Sequence, residues 1–446
     1  MMRIGMDFGT TNSGIAIYDG DEVQVLPLDP VAETAVMRSV LYITRDHEVH
    51  TGQRAIDLYN AQNTHRERRM VNKKVGHVRM DFGDGLVVET DVHAPVDELE
   101  PGRLMRSLKS ALATPYSGTR LFERDYTLEG LIALYLQAAR ERASELLDED
   151  IKDVVLGRPV HFVEAKTEAD DQHAEDRLRR AAELAGFERI AFVLEPVAAA
   201  RHYAQSAREP QHILVYDFGG GTLDLTVMAV EPGKMPTILA VGGLGIAGDR
   251  FDRRIVEKAI LPHFGEGVTW GDKALPIPRD LLDHVMHWEN QSGAATPETR
   301  SFLHQIQAKC SAPARIYALE SLIFDFYGFA LFEAVEATKR RLSSVTFDTF
   351  RFVGGQIDIW QLMTRRQFES YTHTEWRYIR EAVLDIVARS GVPIDTIDAV
   401  VRTGGSSSIP YGLAMLGKLF DPEKLVTEDL FTGVAAGLGI IAHENS

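Results

Sequence analysis

The stretch that decides the fold lies at the start of the chain and reads Arg3-Ile-Gly-Met-Asp7-Phe8-Gly9-Thr10-Thr11-Asn12. It is a strand pattern that ends in an Asp-Phe-Gly turn, and a second apolar run follows over 14–18. The same order recurs in Ile213-Leu-Val-Tyr-Asp217-Phe218-Gly219-Gly220-Gly221-Thr222, which another apolar run follows. The two aspartates are 210 positions apart in a chain of 446 residues. A unit repeated at about half the chain length predicts two related lobes, because a solenoid would repeat roughly every 20–50 residues.

The remainder of the chain alternates between strand and helix patterns. Residues 128–147 carry the apolar face of a helix, and residues 153–156 have the pattern of a short buried strand. A strand over 398–401 leads through two glycines into a helix that opens at Pro410, a favoured first helical position. This alternation predicts an α/β fold.

The domain organisation follows from the repeat, since no Pro- or Ser-rich linker divides the sequence. We expect one lobe over 1–210 and a second over 211–446, with an inserted subdomain at about 261–331. Residues 83–124 are polar and rich in turn residues, and their pattern predicts no particular element.

Composition excludes several classes of protein. The net charge of −17 disfavours a nucleic-acid binder and docking on anionic lipid. The single cysteine, Cys310, cannot form an internal disulfide or a Cys-based zinc site, which fits a reducing compartment. No apolar run approaches the length of a membrane span, and no signal peptide opens the chain. We expect a cytoplasmic protein that binds neither nucleic acid nor membrane.

The repeated glycine turns predict a phosphate site. Backbone N–H groups in such turns bind phosphate oxygens, glycine permits close approach, and Thr hydroxyls add donors. Asp7 and Asp217 suit a Mg²⁺ ion that is held largely through its own waters. One such turn is also typical of an ordinary hairpin, but two copies, one in each lobe, could grip a triphosphate from both sides. A third glycine element, 398–410, could equally be a plain strand-to-helix turn.

These motifs resemble the nucleotide-binding domain of the DnaK-type heat-shock seventy chaperones, which belong to the actin, sugar-kinase and heat-shock ATPase superfamily. The matching motifs are Asp7-Phe-Gly-Thr-Thr-Asn-Ser13, Asp217-Phe-Gly-Gly-Gly-Thr-Leu-Asp224, Gly404-Gly-Ser-x-x-Ile-Pro410, Val193-Leu-Glu-Pro-Val-Ala-Ala-Ala200 and Glu336-Ala-Thr-Lys-Arg-Arg-Leu-Ser343. The resemblance implies a two-lobed actin-like fold of duplicated ribonuclease-H-like domains, with a cleft for ATP or ADP and Mg²⁺.

The resemblance also implies roles for individual residues. The aspartates around the hydrated Mg²⁺ match Asp7 and Asp217, and Thr10, Glu195 and Asp224 match residues that arrange the γ-phosphate, the metal shell and the attacking water. Further nucleotide-binding positions are matched by Gly9, Thr11, Asn12, Gly219, Gly220, Gly221, Thr222, Gly248, Asp249, Gly404, Gly405 and Ser406. The adenosine pocket is matched by Glu336, Lys339, Arg340 and Ser343.

Two positions depart from the family pattern. The family's catalytic lysine is best matched by Lys73, with Lys74 as the alternative, but the spacing to Gly76 is one residue short and the stretch could be a solvated basic face. Ser408 replaces the arginine that stacks on adenine in the family, so this role could shift to Arg340.

The expected function is Mg-dependent ATP binding with slow hydrolysis that drives lobe closure. The hydrolysis is expected to be slow because nothing in the sequence resembles a built-in arginine finger. The chain ends at Ser446, so we expect no C-terminal peptide-binding domain, as in the short YegD-type members.

A small-molecule kinase and a non-hydrolysing nucleotide-sensing scaffold remain alternatives. A dinucleotide site at the G-x-G-x-x-G of 243–248 is a weaker one. We expect a monomer that works with a protein partner or co-chaperone.

Overall fold

The computed structural model describes residues 2–32, 34–64, 66–67, 69–81, 87–288, 291–427 and 432–445, without the side chains of residues 70, 72–81, 87–96 and 292. Strands and helices alternate along the chain, so the predicted α/β class is confirmed. The strands are β1 Arg3–Phe8, β2 Asn12–Tyr18, β3 Val23–Val25, β4 Met37–Arg38, β5 Val40–Thr44, β6 Val49–Thr51, β7 Met70–Asp81, β8 Val87–Asp97, β9 Gly102–Arg106, β10 Gly118–Leu121, β11 Arg124–Thr127, β12 Asp153–Arg158, β13 Arg189–Leu194, β14 Gln211–Phe218, β15 Leu223–Val230, β16 Thr237–Leu244, β17 Thr269–Trp270, β18 Leu275–Pro276, β19 Phe347–Gly354, β20 Ile357–Thr364, β21 Ala399–Thr403 and β22 Leu425–Thr427. The α-helices are α1 Gly52–Asn63, α2 Leu128–Leu147, α3 Glu168–Leu184, α4 Glu195–Ala204, α5 Gly248–Ile255, α6 Arg279–Met286, α7 Gln291–Ala294, α8 Pro297–Gln307, α9 Pro313–Phe324, α10 Gly328–Ser344, α11 Arg365–Tyr371, α12 His373–Ser390, α13 Pro410–Phe420 and α14 Gly433–Glu444.

Two sheets repeat one strand order, which is the structural form of the sequence repeat. The first sheet runs β13-β12-β1-β2-β3, with β4 paired to β2, and the second runs β22-β21-β14-β15-β16. In each sheet the first strand of the repeat is antiparallel to the strand that follows it and parallel to a strand from much later in the sequence. The sheets are therefore duplicates in both order and direction, as the recurring Asp-Phe-Gly turns predict.

Local capping residues fix the first turns of the two long helices α2 and α3. The Thr127 hydroxyl accepts a hydrogen bond from the Gly130 N–H at the start of α2. Thr167 and Asp170 form a reciprocal capping box at the start of α3. The buried faces of these two helices pack on the first sheet in one apolar cluster with Ile4, Met6 and Ile15. That cluster fixes the strand ends that carry the site.

Helix α14 packs closely against both β1 and α4 because glycines line the contact. A Cβ on Gly5 would lie 2.1 Å from the Gly439 N, and one on Gly437 would lie 1.8 Å from the Ala198 O. Both neighbours are backbone atoms, so no side chain could move aside. The same helix and α4 share a core cluster with Val215 and other residues of the second sheet.

The chain divides into two compact units. The first comprises residues 1–59, 103–251 and 369–446 and contains both duplicated sheets. The second comprises residues 60–102 and 252–368, a range that includes the 261–331 stretch expected to be an insertion. The division of the chain into halves at residue 211 stays a prediction.

The second unit contains the ribbons β7–β8 and β19–β20 and the helices α6 to α10. The β19–β20 ribbon has two distinct faces: Phe350 is fully buried, whereas Trp360, on the other face, is 60% exposed. Among the described helices, none has the length and apolar character needed to cross a bilayer.

Candidate functional site

Two glycine turns meet in the first compact unit. One joins β1 to β2, and the other joins β14 to β15. A Cβ on Gly220 would lie 2.4 Å from the Thr11 Oγ1, and one on Gly221 would lie 3.8 Å from the Thr10 Cγ2. Within the second turn the Gly219 N–H donates to the Thr222 carbonyl. The structure therefore brings together the two turns that the sequence singles out.

A third glycine segment supports the second turn from the end of β21. Gly404 has φ +78°, and a Cβ there would lie 2.5 Å from the Phe218 carbonyl oxygen, so only glycine fits this position without strain. The Ser406 hydroxyl donates to the Gly219 carbonyl at 2.7 Å. Ser408 donates to the carbonyl of Gly405, within its own turn.

A fourth segment, at the start of α5, contacts the same turn through its backbone. The Gly248 N–H donates to the Gly219 carbonyl at 3.2 Å, and the Asp249 N–H donates to the Gly220 carbonyl at 2.8 Å. The G-x-G-x-x-G at 243–248 leaves the antiparallel strand β16 here, so it does not open a strand-helix-strand unit. Gly248, the last glycine of the motif, instead helps hold the second turn in place through its N–H.

The first turn is held from behind by its neighbours. The Ser39 hydroxyl donates to the Gly9 carbonyl at 2.7 Å and lies 2.9 Å from the Ser13 hydroxyl. Asn12 begins β2 and pairs in register with Arg38 of β4. These bonds fix the loop that carries Thr10.

Near the turns, the carboxylates of Asp7, Glu195, Asp217 and Asp224 and the ammonium group of Lys109 interact electrostatically with one another. Burial and the neighbouring Glu195 raise the pKa of Asp7 to about 7, against the opposing effect of Lys109. Burial raises the pKa of Asp224 to about 6, and burial together with Asp224 raises that of Asp217 well above its usual value. Burial alone would lower the pKa of Lys109, but Glu195 and Asp7 outweigh it and raise the pKa. The cluster therefore carries more negative than positive charge.

This donor set fits a divalent cation. Asp7 and Asp217 come from equivalent positions of the two duplicated sheets, and the surplus of carboxylate charge is what a bound cation would compensate. Among the described residues, no three carboxylate, imidazole or thiol side chains lie close enough together to ligate one ion directly. A cation here would be held largely through water, which Mg²⁺ favours.

Lys109 is the residue that sequence reasoning missed. It lies on a short 3-10 helix, Leu108–Ala111, is 6% exposed, and its Nζ donates to the Glu195 Oε1. Lys73, chosen from the sequence, lies with Lys74 on β7 in the second compact unit, and both side chains lie outside the described ones. No local glycine pattern marks Lys109; its ion pair with Glu195 and its electrostatic interaction with Asp7 identify it in the structure.

A histidine–aspartate pair also lies near the cluster. The His161 Nδ1 lies 2.7 Å from the Asp171 Oδ2, and the Phe162 N–H donates to the other oxygen of that carboxylate at 2.7 Å. His161 follows β12, which is the neighbour of β1 in the sheet.

The residues matched to an adenosine pocket lie on α10, in the second compact unit. Lys339 is buried, and its Nζ lies 2.7 Å from the Asp252 Oδ2. Arg340 is exposed, Glu336 is half-buried, and the Ser343 hydroxyl lies 3.5 Å from the Lys339 carbonyl. Their assignment to a nucleotide base stays a prediction.

Comparisons with known proteins agree with these motifs. The family model described as Hsp70 protein matches residues 3–266. The chain is 23% identical to the chaperone protein DnaK of Thermotoga neapolitana over 98% of its own length and 58% of the relative's. It is 24% identical to the chaperone protein DnaK of Cyanidioschyzon merolae over 99% of its own length and 62% of the relative's. The chain thus spans about three fifths of the length of these curated relatives.

Proposed function

Because the chain belongs to the Hsp70 protein family, we propose that it binds ATP with Mg²⁺ and hydrolyses it slowly to ADP and phosphate. The family has the two-lobed actin-like ATPase fold, in agreement with the duplicated sheets. The observation that carries the proposal is the meeting of two glycine turns above a carboxylate cluster that holds a buried Lys109–Glu195 pair.

The chain's own residues supply positioning and electrostatics, which dominate phosphoryl transfer. Backbone N–H groups of both turns and the Thr10 hydroxyl donate to phosphate oxygens. Glu195 orients the attacking water, and Lys109 stabilises the charge on the γ-phosphoryl group. The oxygen of water bonds to the γ-phosphorus while the bond to the β–γ bridging oxygen breaks. ADP leaves with that electron pair, and the water's proton passes to phosphate or solvent.

Asp7 and Asp217 would hold the metal ion through its waters. When bound there, Mg²⁺ would supply positive charge that offsets the charge developing on the phosphate oxygens. The raised pKa values of these aspartates support this assignment, since a cation would favour their charged forms.

Phosphate release from Mg·ATP tests the proposal. Purified wild-type protein is compared with Lys109→Ala and Asp217→Asn, and calorimetry measures ATP binding by each. We expect slow release by the wild type and none above background by either variant. Tight ATP binding without release by the wild type would contradict the hydrolysis and favour the nucleotide-sensing scaffold, whereas release that requires a small-molecule acceptor would favour the kinase.

Several further expectations accompany this function. We propose that hydrolysis changes the angle between lobes and that a protein partner or co-chaperone responds to that change. The cytoplasmic location and the monomeric state expected from the sequence stay predictions. Sedimentation with and without Mg·ATP tests the monomer, because nucleotide-driven polymerisation would contradict it.

A further inference from the structure

Arg106 lies beside the candidate phosphate site and has no role in the function proposed so far. It is the last residue of β9, and its Nη2 lies 3.8 Å from the Asp249 Oδ2. The two side chains are 24% and 43% exposed, so the pair is open to solvent on one side. An ion pair of this length and exposure contributes little to stability.

The Asp249 partner connects Arg106 to the second glycine turn. The Asp249 N–H donates to the Gly220 carbonyl at 2.8 Å, and its Oδ1 lies 3.5 Å from where a Cβ on Gly220 would be. The guanidinium therefore lies one side chain away from the turn that we propose binds phosphate. A cation that rests on a partly exposed carboxylate can exchange it for a more highly charged anion.

The backbone next to Arg106 is bent in an uncommon way. Ser107 has φ +56° and ψ +31°, a left-handed conformation that residues other than glycine rarely adopt. The bend lets two cations three positions apart reach different carboxylates: Arg106 reaches Asp249, and Lys109 reaches Glu195. Strain of this kind clusters at functional sites.

We propose that Arg106 binds the terminal phosphate of ATP, and so acts as an arginine finger that the chain itself supplies. This inference rests on the proposed function. On binding, the guanidinium leaves Asp249 and donates two parallel hydrogen bonds to γ-phosphate oxygens, the geometry that arginine favours with phosphate. ADP lacks that phosphate, so Arg106 also distinguishes ATP from ADP. The sequence alone suggested no such arginine, so this inference removes the ground on which the sequence predicts slow hydrolysis, and the rate itself is left to the assay.

The test compares wild-type protein with Arg106→Ala, Arg106→Lys and Arg120→Ala. Arg120 is a matched control because its Nε lies 3.7 Å from the Asp125 Oδ1 in an exposed pair on the β10–β11 hairpin. Calorimetry gives the Kd of Mg·ATP and of Mg·ADP, single-turnover assays give the hydrolysis rate at saturating ATP, and thermal unfolding checks that each variant is folded.

For Arg106→Ala we expect ATP binding about tenfold weaker, ADP binding within about twofold of wild type, and hydrolysis about 100-fold slower. Arg106→Lys should regain part of the ATP affinity but little of the rate, because an ammonium cannot bind two oxygens in parallel. Arg120→Ala should match the wild type in every measurement.

Arg106→Ala with wild-type ATP affinity and rate would overturn the inference, and so would an equal loss of affinity for ATP and ADP. If the wild type binds ATP without hydrolysing it, the proposed hydrolysis fails, while the ratio of the two Kd values still decides whether Arg106 binds the γ-phosphate. If the wild type binds neither nucleotide, both proposals fall.

Discussion

Replacing Lys109 with methionine tests whether this lysine is the cation of the site. The Lys109 and Glu195 side chains are 7% and 13% exposed, so the ion pair is nearly dry. Methionine keeps the length of the side chain and removes the charge. Glu195 is then left buried near Asp7 without a compensating cation, and breaking a buried pair in this way costs about 3–5 kcal/mol. We expect a loss of stability of that size in the absence of nucleotide and metal.

Urea unfolding followed by circular dichroism measures the effect. The double variant Lys109→Met/Glu195→Gln should be more stable than Lys109→Met by about 2 kcal/mol or more, because Glu195, the direct partner of Lys109, is then no longer a buried charge without its cation. Lys152→Met is the control: Lys152 pairs with Glu188 at 2.8 Å on the surface, where the Glu188 side chain is 64% exposed. This control should unfold at the wild-type urea concentration.

Two results would refute the reasoning. One is a Lys109→Met variant that unfolds like the wild type, and the other is a double variant no more stable than Lys109→Met. Phosphate release from the same proteins, beside Lys73→Ala, decides which lysine acts in hydrolysis. If Lys109→Met loses phosphate release and Lys73→Ala retains it, Lys109 replaces Lys73 as the lysine assigned to hydrolysis.

Three further predictions concern stability. Gly437→Ala should cost at least about 3 kcal/mol or prevent folding, because its Cβ would lie 1.8 Å from the backbone oxygen of Ala198; a wild-type melting temperature would contradict the close packing of α14. Phe350→Ala should cost about 3–5 kcal/mol, whereas Trp360→Ala on the exposed face of the same ribbon should cost about 0.5 kcal/mol or less by urea unfolding; similar losses would show that the two faces are misassigned. The pKa of Asp224 is raised from 3.8 to about 6 in the folded protein, so the folded state holds the Asp224 proton more tightly than the unfolded state does. The stability that this proton contributes is therefore lost as the pH rises from about 4 to about 6. In EDTA at pH 8, Asp224→Asn should therefore be about 3 kcal/mol more stable than wild type, and the difference should shrink towards pH 4; a pH-independent difference would argue against the raised pKa.

The hairpins and the duplication could be predicted because their signals are local. An apolar run followed by Asp-Phe-Gly and a second apolar run contains both strands and the turn in fewer than 20 residues. The order of the strands within each sheet was not predicted from the sequence, and the structure shows that the second sheet copies the first. Strand ends could be placed only within a few residues: β12 continues to Arg158, past the predicted end at residue 156.

Lys109 and Arg106 could not be predicted for the opposite reason. They lie in the 83–124 stretch, where turn residues obscure the period of β9 and the short helix after it. Lys109 is 86 positions from Glu195 in sequence, and Arg106 is farther still from Asp249. Only tertiary packing brings the members of each pair together, and the spacing of residues in the sequence does not predict such long-range contacts.

The charges of the site constrain the order in which its ligands bind. Among the side chains that the structure describes, Asp7, Glu195, Asp217 and Asp224 face one buried cation, Lys109, so this cluster by itself repels a triphosphate. Burial above all, with repulsion from neighbouring carboxylates, raises the pKa values of the three aspartates, so their charged forms lower the stability of the unliganded protein near neutral pH. A divalent cation removes both penalties, because it favours the charged carboxylates and attracts phosphate. Metal and nucleotide are therefore expected to bind cooperatively. The metal ion relieves the unfavourable free energy of the buried carboxylate charges, and this relief favours the site that is closed around Mg·ATP.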